Sequence, residues 1–496
     1  MRKNLLLITA DQWRGDATSL AGHPVVRTPH LDRLAQDGVA FLCHYGQATP
    51  CAPARASLYT GLYLFNHRVV GNGSPLDSRH HTLASWLRRF GYDAVLFGFT
   101  DVAADPRELP ENDPRLFTYE GVAPGFRAEC LLLSDLGPWR AHLEAKGMGA
   151  ELEELWARPL GAPAPYPAAA SETAFLTDRF LAWLARRPAE PWFAHLSYIK
   201  PHPPWVLPDP WHRAVDPRRL KPPARRPSPS TRAHPWLRAS LRRPPSSWTE
   251  RVVAARPLSE PELTLTLRAL YFASVMEVDH HLGRVFRELE RRGLLDRTLV
   301  VVTADHGEML GELGMWDKDS FHPAWFHVPL VIRDPEARVR GLRVRRFTAH
   351  VDLFPTITER LGLPTPLQCD GEALTPFLAG QSPRRWREGV VYEFDFRDPV
   401  EPWFETRLGL DPDSCCLITY LERRWLYVQF AALPPLLFDR LQDPLAAIDR
   451  GRDPRLKEVR LALAERLLAF RLHRAERRLS GVRLTAKGPV GRFDPP

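Results

Sequence analysis

The chain has 496 residues, 44% of them hydrophobic and 25% charged, with a formal net charge of +8. This balance is that of a folded globular protein and excludes fibrous and wholly disordered chains. No stretch reaches the roughly 18 apolar residues of a membrane-spanning helix, and the length points to one large domain plus a smaller one. The positive charge is mostly arginine, spread over most of the chain, and reads as a compositional bias rather than a nucleic-acid surface.

The first residues combine a positive start with an apolar run, as a signal peptide does. The run is short, however, and Asp11 ends it without a small-residue cleavage site. Asn4–Ala10 is therefore read as a central parallel strand, and the protein as cytoplasmic. Helical spacing covers Thr82–Phe90 and stops at Gly91, and Asp93–Gly98 resumes as a strand. An amphipathic helix at Ser171–Leu184 leads into the strand Trp192–Leu196. A long helix over Glu260–Arg292 leads into the strand Leu299–Ala304, and Val328–Ile332 with Asp352–Leu361 forms another strand–helix unit. Strands alternating with helices predict an α/β fold, a large and mostly parallel sheet sandwiched by helices.

Residues 203–257 are dense in Pro and Arg, including Arg218, Arg219, Arg225, Arg226, Arg242 and Arg243. They predict an irregular, solvated insertion that shapes a cleft or a subunit contact. It lacks interleaved aromatic platforms, so no nucleic-acid partner is expected. Residues 1–379 are read as a catalytic domain and 380–485 as a smaller C-terminal α+β subdomain. The latter holds short strands at Gly389–Phe396 and Trp425–Phe430 and a helix within Pro454–Arg478. That helix carries apolar residues at Leu456, Val459, Leu463, Leu467 and Phe470, a face that must cover the second domain or another subunit. Residues 486–496 are expected to be a loose tail.

Chemistry concentrates at three places. Asp11 directly follows the first strand, and Asp305-His306-Gly307-Glu308 directly follows another. Ligands bind outside the carboxyl ends of strands in such sheets, and carboxylate with imidazole suits a catalytic metal. The third is Cys51. The six cysteines (Cys43, Cys51, Cys130, Cys369, Cys415, Cys416) form no Cys-x-x-Cys pair and read as reduced thiols. Cys51 stands before a helix and beside Arg55, which predicts a depressed thiol pKa and a nucleophile. His195, His280 and His281 read as structural, and Cys415 and Cys416 as buried thiols.

Cys51-x-Pro53-x-Arg55, followed by Ala-Ser-Leu-Tyr-Thr-Gly, resembles the signature of the sulfatase family of the alkaline phosphatase superfamily. Thr28–Leu34, Asp305–Glu308 and His350–Thr356 also resemble family segments, and the likeness covers almost the whole chain. A narrower resemblance points to phosphonate monoester hydrolases, enzymes that cleave phosphonate monoesters, phosphodiesters and sulfate esters at one site. It rests on Asp11-Gln12, where most sulfatases carry two aspartates, and on Gly61–Arg68, Tyr198–Pro204, Tyr392–Asp398 and Phe430–Pro435.

The resemblance implies an alkaline-phosphatase-like fold and a Cys51 oxidised to formylglycine by a formylglycine-generating enzyme. It implies one divalent ion, Mn or Ca, on Asp11, Cys51, Asp305 and His306, with Gln12 nearby. Arg55 would orient the formylglycine diol, Asn72 and Lys318 would bind oxygens of the transferred group, and His202 would donate a proton to the leaving group or anchor an oxygen. A small anionic ester as substrate and a homo-oligomer, such as a tetramer, are further implications. Two other readings stand beside this one: a strict aryl or choline sulfatase, and a degenerate binding protein, which predicts lost ligands.

One segment departs from the family. Gly98-Phe99-Thr100-Asp101 falls where many sulfatases carry Gly-Lys-x-His and phosphonate hydrolases Gly-Tyr-Thr-Thr. Thr100 and Asp101 are expected at the substrate, yet a carboxylate there repels an anion. Either Asp101 points away from the site or it contacts a cationic part of the substrate.

Overall fold

The computed structural model describes residues 2–149, 154, 155, 157–224, 234–244, 247–255, 260–318 and 320–495. At its centre is the strand Asn4–Ala10, buried at every position. A strand covered on both faces needs apolar side chains on both, so its sequence runs apolar without alternation. Leu6 and Ile8 enter one core and Leu5 and Leu7 the other. The strand pairs in parallel with Trp192–Tyr198 on one side and Thr298–Thr303 on the other.

Those three strands lie inside an eight-stranded sheet. Its order is Leu342–Val344, Val39–Phe41, Leu330–Arg333, Thr298–Thr303, Asn4–Ala10, Trp192–Tyr198, Asp93–Gly98 and Arg127–Leu131. Only Leu330–Arg333 runs antiparallel to its neighbours. The helices Pro29–Gln36, Glu172–Ala185 and Glu260–Arg291 cover one face, and Cys51–Thr60, Leu83–Arg89 and Leu353–Arg360 the other. Thr82 caps Leu83–Arg89 by accepting from the Ser85 N–H, and Ser171 caps Glu172–Ala185 in the same way.

A second, five-stranded sheet builds the C-terminal subdomain in the order Leu436–Asp439, Trp425–Phe430, Cys416–Glu422, Gly389–Asp395, Ala48–Thr49. Its last strand comes from the N-terminal part of the chain and pairs in parallel, Glu393 with Ala48 and Phe394 with Thr49. The residues just before Cys51 are therefore strapped to the smaller sheet. The helix Lys457–His473 lies over that sheet. Leu463 and Leu467 are buried, and Leu456, Val459 and Phe470 pack with them against Tyr63, Val391, Tyr427 and Leu437.

Several expectations need correction. The described parts of the Pro/Arg segment are anchored in the core, while side chains such as Arg218 and Arg242 stay exposed. Trp205, Leu207 and Trp236 are buried, and Pro235–Ser240 and Trp248–Ala255 are helices. Apolar side chains between the prolines anchor it to the core; Arg225 and Arg226 lie outside the described residues. The expected loose tail instead contributes Gly488–Gly491 to a hairpin with Val482–Thr485, and Asp494 accepts from the Leu367 N–H at 2.7 Å. Cys416 is half-buried rather than buried, whereas all six cysteines are unpaired.

The terminal helix allows a direct check of its packing. Leu467, 3% exposed, sits on the covered face, and Leu468, 60% exposed, on the outer one. Leu467→Ala is expected to cost about 2–4 kcal/mol, and Leu468→Ala less than about 0.5 kcal/mol, in denaturant unfolding.

Candidate active site

Thr9 and Thr303 are in register on adjacent parallel strands. The chain beyond each strand therefore delivers Asp11 and Asp305 side by side at the carboxyl end of the sheet. The Asp11 N–H donates to Tyr198 O at 3.0 Å, and the Gln12 N–H donates to Asp305 Oδ1 at 3.0 Å, fixing the two strand ends together. His306 follows Asp305, and its Nδ1 lies 2.9 Å from Gly307 O. That contact makes Nδ1 the protonated nitrogen and turns a lone pair on Nε2 toward the site.

Cys51 opens the helix Cys51–Thr60, all ten residues of which are buried. Its Sγ lies 3.3 Å from His306 Nε2 and 4.0 Å from Asp11 Oδ1. One ligand atom from each of Asp11, Cys51, Asp305 and His306 lies within 4.8 Å of the others. One helical turn on, Arg55 is fully buried. Its Nε donates to Asp305 Oδ2 at 2.9 Å and its Nη2 to Asp11 Oδ2 at 3.2 Å. Nη1 donates to Phe99 O and Ser197 Oγ, and the Phe99 ring lies 4.0 Å beneath the guanidinium.

The other expected residues divide. Lys318 Nζ donates to Cys51 Sγ at 2.7 Å, and its backbone carbonyl accepts from Thr49 Oγ1 at 2.7 Å. Asn72 accepts from the Ala52 N–H at 3.0 Å, which leaves its NH2 to offer a ligand. Asp11, Cys51, Asn72, Asp101, His202 and Lys318 line one cavity of about 280 Å³. Thr100 does not line it: its hydroxyl donates to Gly121 O at 2.7 Å and accepts from the Ala123 N–H at 2.8 Å, holding the backbone behind the wall. Gln12 is also outside the lining, with its NH2 on Glu308 Oε2. Asp101 faces the cavity rather than pointing away.

The electrostatics reverse one expectation. Burial, then Asp11, push the Cys51 thiol well above its usual value, and the opposing pull of Lys318 does not compensate. The nearby Arg55 does not depress it, because its guanidinium is spent on the two carboxylates. Burial works to raise the Asp11 carboxyl, but Lys318, Arg55 and His306 outweigh it and hold it low. For Lys318, burial is outweighed by Cys51 and Asp11, so the ammonium is held charged. Burial keeps His306 neutral, as a metal ligand must be. Burial, then Lys318, lower His202 well below its usual range, and its Nδ1 lies 2.6 Å from Pro203 O. The neutral ring thus presents Nε2 as an acceptor.

The cluster fits one divalent cation. Two carboxylates, a neutral imidazole and residue 51 form a hard-to-borderline donor set. Donor atoms on one cation bound at about 2.3–2.6 Å lie no more than roughly 4.6–5.2 Å apart, and the cluster falls within that limit. The Gln12 Oε1 is in addition buried without a hydrogen-bond partner, adjacent in sequence to Asp11. Sequence reasoning missed Glu308 as a support. Its Oε1 accepts from the Leu310 and Asp317 N–H groups and its Oε2 holds Gln12. It stands inside the quoted Asp-His-Gly-Glu motif, but nothing in the motif says which neighbour it grips. Tyr119, Glu120 and Trp248 in the cavity wall carried no signal at all.

The sulfatase family model matches residues 3–363, and the model of the N-sulphoglucosamine sulphohydrolase C-terminal region matches 311–473. The chain is 37% identical to the multifunctional alkaline phosphatase superfamily protein PehA of Trinickia caryophylli, over 98% of each chain. Among solved structures it superposes on the phosphonate monoester hydrolase of Agrobacterium radiobacter with a TM-score of 0.94 and 41% identity, covering 99% of this chain and 100% of that one. The phosphonate monoester hydrolase SpPMH of Silicibacter pomeroyi gives 0.93 and 38%, covering 99% of each. Taken with the buried carboxylate, imidazole and cysteine cluster at the strand ends, these matches show that the chain belongs to the sulfatase family of the alkaline phosphatase superfamily and is an ester hydrolase.

Proposed function

We propose that the protein is a formylglycine- and metal-dependent hydrolase of phosphonate monoesters and phosphodiesters that also accepts sulfate esters. The observation that carries this reading is the convergence of Asp11, Cys51, Asp305 and His306 within 4.8 Å, with Asp11 and Cys51 lining one cavity and Lys318 touching Cys51. The likeness to two phosphonate monoester hydrolases supports the substrate class. The raised thiol also supports it: a cysteine among carboxylates makes a poor thiolate, so the position suits an oxygen nucleophile made from Cys51.

In this reading Asp11, Asp305, His306 and residue 51 would hold a divalent cation, Mn or Ca, with Gln12 as a neighbouring oxygen donor, and the cation would supply Lewis acidity to the ester oxygens and to residue 51. Arg55 fixes both carboxylates and orients residue 51. Lys318 and the Asn72 NH2 face the oxygens on which negative charge develops. His202, with Nε2 unprotonated, anchors a hydroxyl or takes up a proton that it later returns to the leaving group. Residues 1–379 form the catalytic domain in this reading and 380–485 the subdomain that braces it.

Maturation by a formylglycine-generating enzyme and a cytoplasmic setting belong to the same reading, and six unpaired cysteines support the latter. The outward Leu461 and Leu472 support a homo-oligomer.

Protein co-produced with a formylglycine-generating enzyme is expected to cleave matched aryl phosphonate monoesters and phosphodiesters faster than the aryl sulfate, and Cys51→Ala to fall to background. Peptide mass spectrometry verifies the aldehyde in the same sample. Turnover of sulfate alone would assign a strict sulfatase instead. Lys318→Ala is expected to lower kcat/KM by about 10²–10³-fold, mainly through kcat, in steady-state kinetics. An unchanged kcat would remove Lys318 from the transition state.

A further inference from the structure

The cavity has a second character beside its reacting residues. Asp101 stands in its wall, 5% exposed, with φ at +53°. Left-handed backbone at a non-glycine residue is uncommon, and it persists where the surroundings enforce it. Here they do. Thr100 is fastened to Gly121 O and the Ala123 N–H, and the Val102 N–H donates to Gly121 O at 3.2 Å. The two residues flanking Asp101 are thus pinned to one loop, and the carboxylate between them lines the cavity.

Among the described residues, no hydrogen bond or ion pair engages that carboxylate. A structural role for it is accordingly absent from its contacts. Burial, then Asp11 and Glu120, hold its pKa up at about 7 against the pull of Arg55 and Lys318. Tyr119 and Glu120 lie in the same wall, near enough to Asp101 to shift its titration or be shifted by it. The Glu120 carboxylate is held by the Ser134 N–H at 2.7 Å and its Oγ at 2.8 Å. Besides Lys318, the lysine and arginine side chains that line the cavity are Lys200 and Arg251. Lys200 is neutralised by Glu172 at 2.9 Å, and Arg251 is exposed.

We propose that this wall is a cation subsite built on Asp101, with Glu120 and the face of Tyr119, and that the preferred substrates are zwitterionic esters whose alcohol carries an ammonium or trimethylammonium group. The inference rests on the ester-hydrolase reading above and names its substrate class. The anionic phosphoryl or sulfuryl group takes the end with Lys318, and the alcohol extends into the remaining cavity. A carboxylate there repels an alcohol that carries negative charge and attracts one that carries a cation. An adjacent aromatic face adds to that attraction.

The test compares the choline ester of phenylphosphonate with its neohexyl isostere, in which carbon replaces the charged nitrogen. Phenyl phenylphosphonate is the control, and ³¹P NMR follows all three. The wild type is expected to favour the choline ester by at least about tenfold in kcat/KM, chiefly through KM. Asp101→Asn tolerates the same left-handed backbone and is expected to bring the ratio to about one, with Glu120→Gln in between. Equal rates for both alkyl esters in the wild type would overturn the subsite while leaving the ester-hydrolase reading intact. A preference that survives in Asp101→Asn would likewise overturn it. An inert control ester, with formylglycine verified, would overturn the hydrolase reading and the subsite with it.

Discussion

The site depends on one buried guanidinium. Arg55 joins Asp305 and Asp11, carboxylates at the ends of two different strands, to the helix that begins with Cys51. Carboxylates packed this close and this deep are costly unless paired. Arg55 supplies donors in a fixed planar fork, so it neutralises both and sets their spacing at once. Ser197 Oγ and Phe99 O accept from Nη1, and the Phe99 ring closes the face. Removing it would leave two carboxylates facing each other without the guanidinium that ties the nucleophile's helix to both.

That arrangement explains why the two sheets must cooperate. The large sheet delivers Asp11, Asp305 and His306, because parallel neighbours in register end at the same edge. The small sheet delivers the nucleophile loop, because Ala48–Thr49 is its edge strand. Thr49 then bonds the Lys318 carbonyl, and Lys318 reaches back to Cys51. The C-terminal helix, far from the chemistry, seals the small sheet and so supports the loop indirectly.

Much of this was legible in the sequence, for identifiable reasons. An unbroken apolar strand followed by a lone Asp, and a second strand followed by Asp-His, mark two strand ends whatever the intervening chain does. Cys51 and Arg55 sit in a compact motif with fixed helical spacing. Lys318, His202 and Asn72 carry no local signal and came from resemblance alone. Other features depend on long-range packing. Arg127–Leu131 is a partly exposed edge strand without an apolar run. Thr100 looks like a cavity residue until its hydroxyl is found on Gly121 and Ala123. The proximity of Arg55 in sequence predicts a low Cys51 pKa, but burial and Asp11 raise it, and the guanidinium is paired with Asp11 and Asp305. Asp101, flagged as a departure from the family pattern, does face the cavity.

The central claim is that four side chains converge on one divalent cation at the foot of the substrate cavity. Anomalous diffraction from a crystal grown with Mn²⁺ tests it most directly. The account predicts a single strong peak within bonding distance of Asp11, Asp305, His306 and residue 51, lost in Asp11→Asn. A crystal with no peak there, or with the metal held elsewhere, would contradict it.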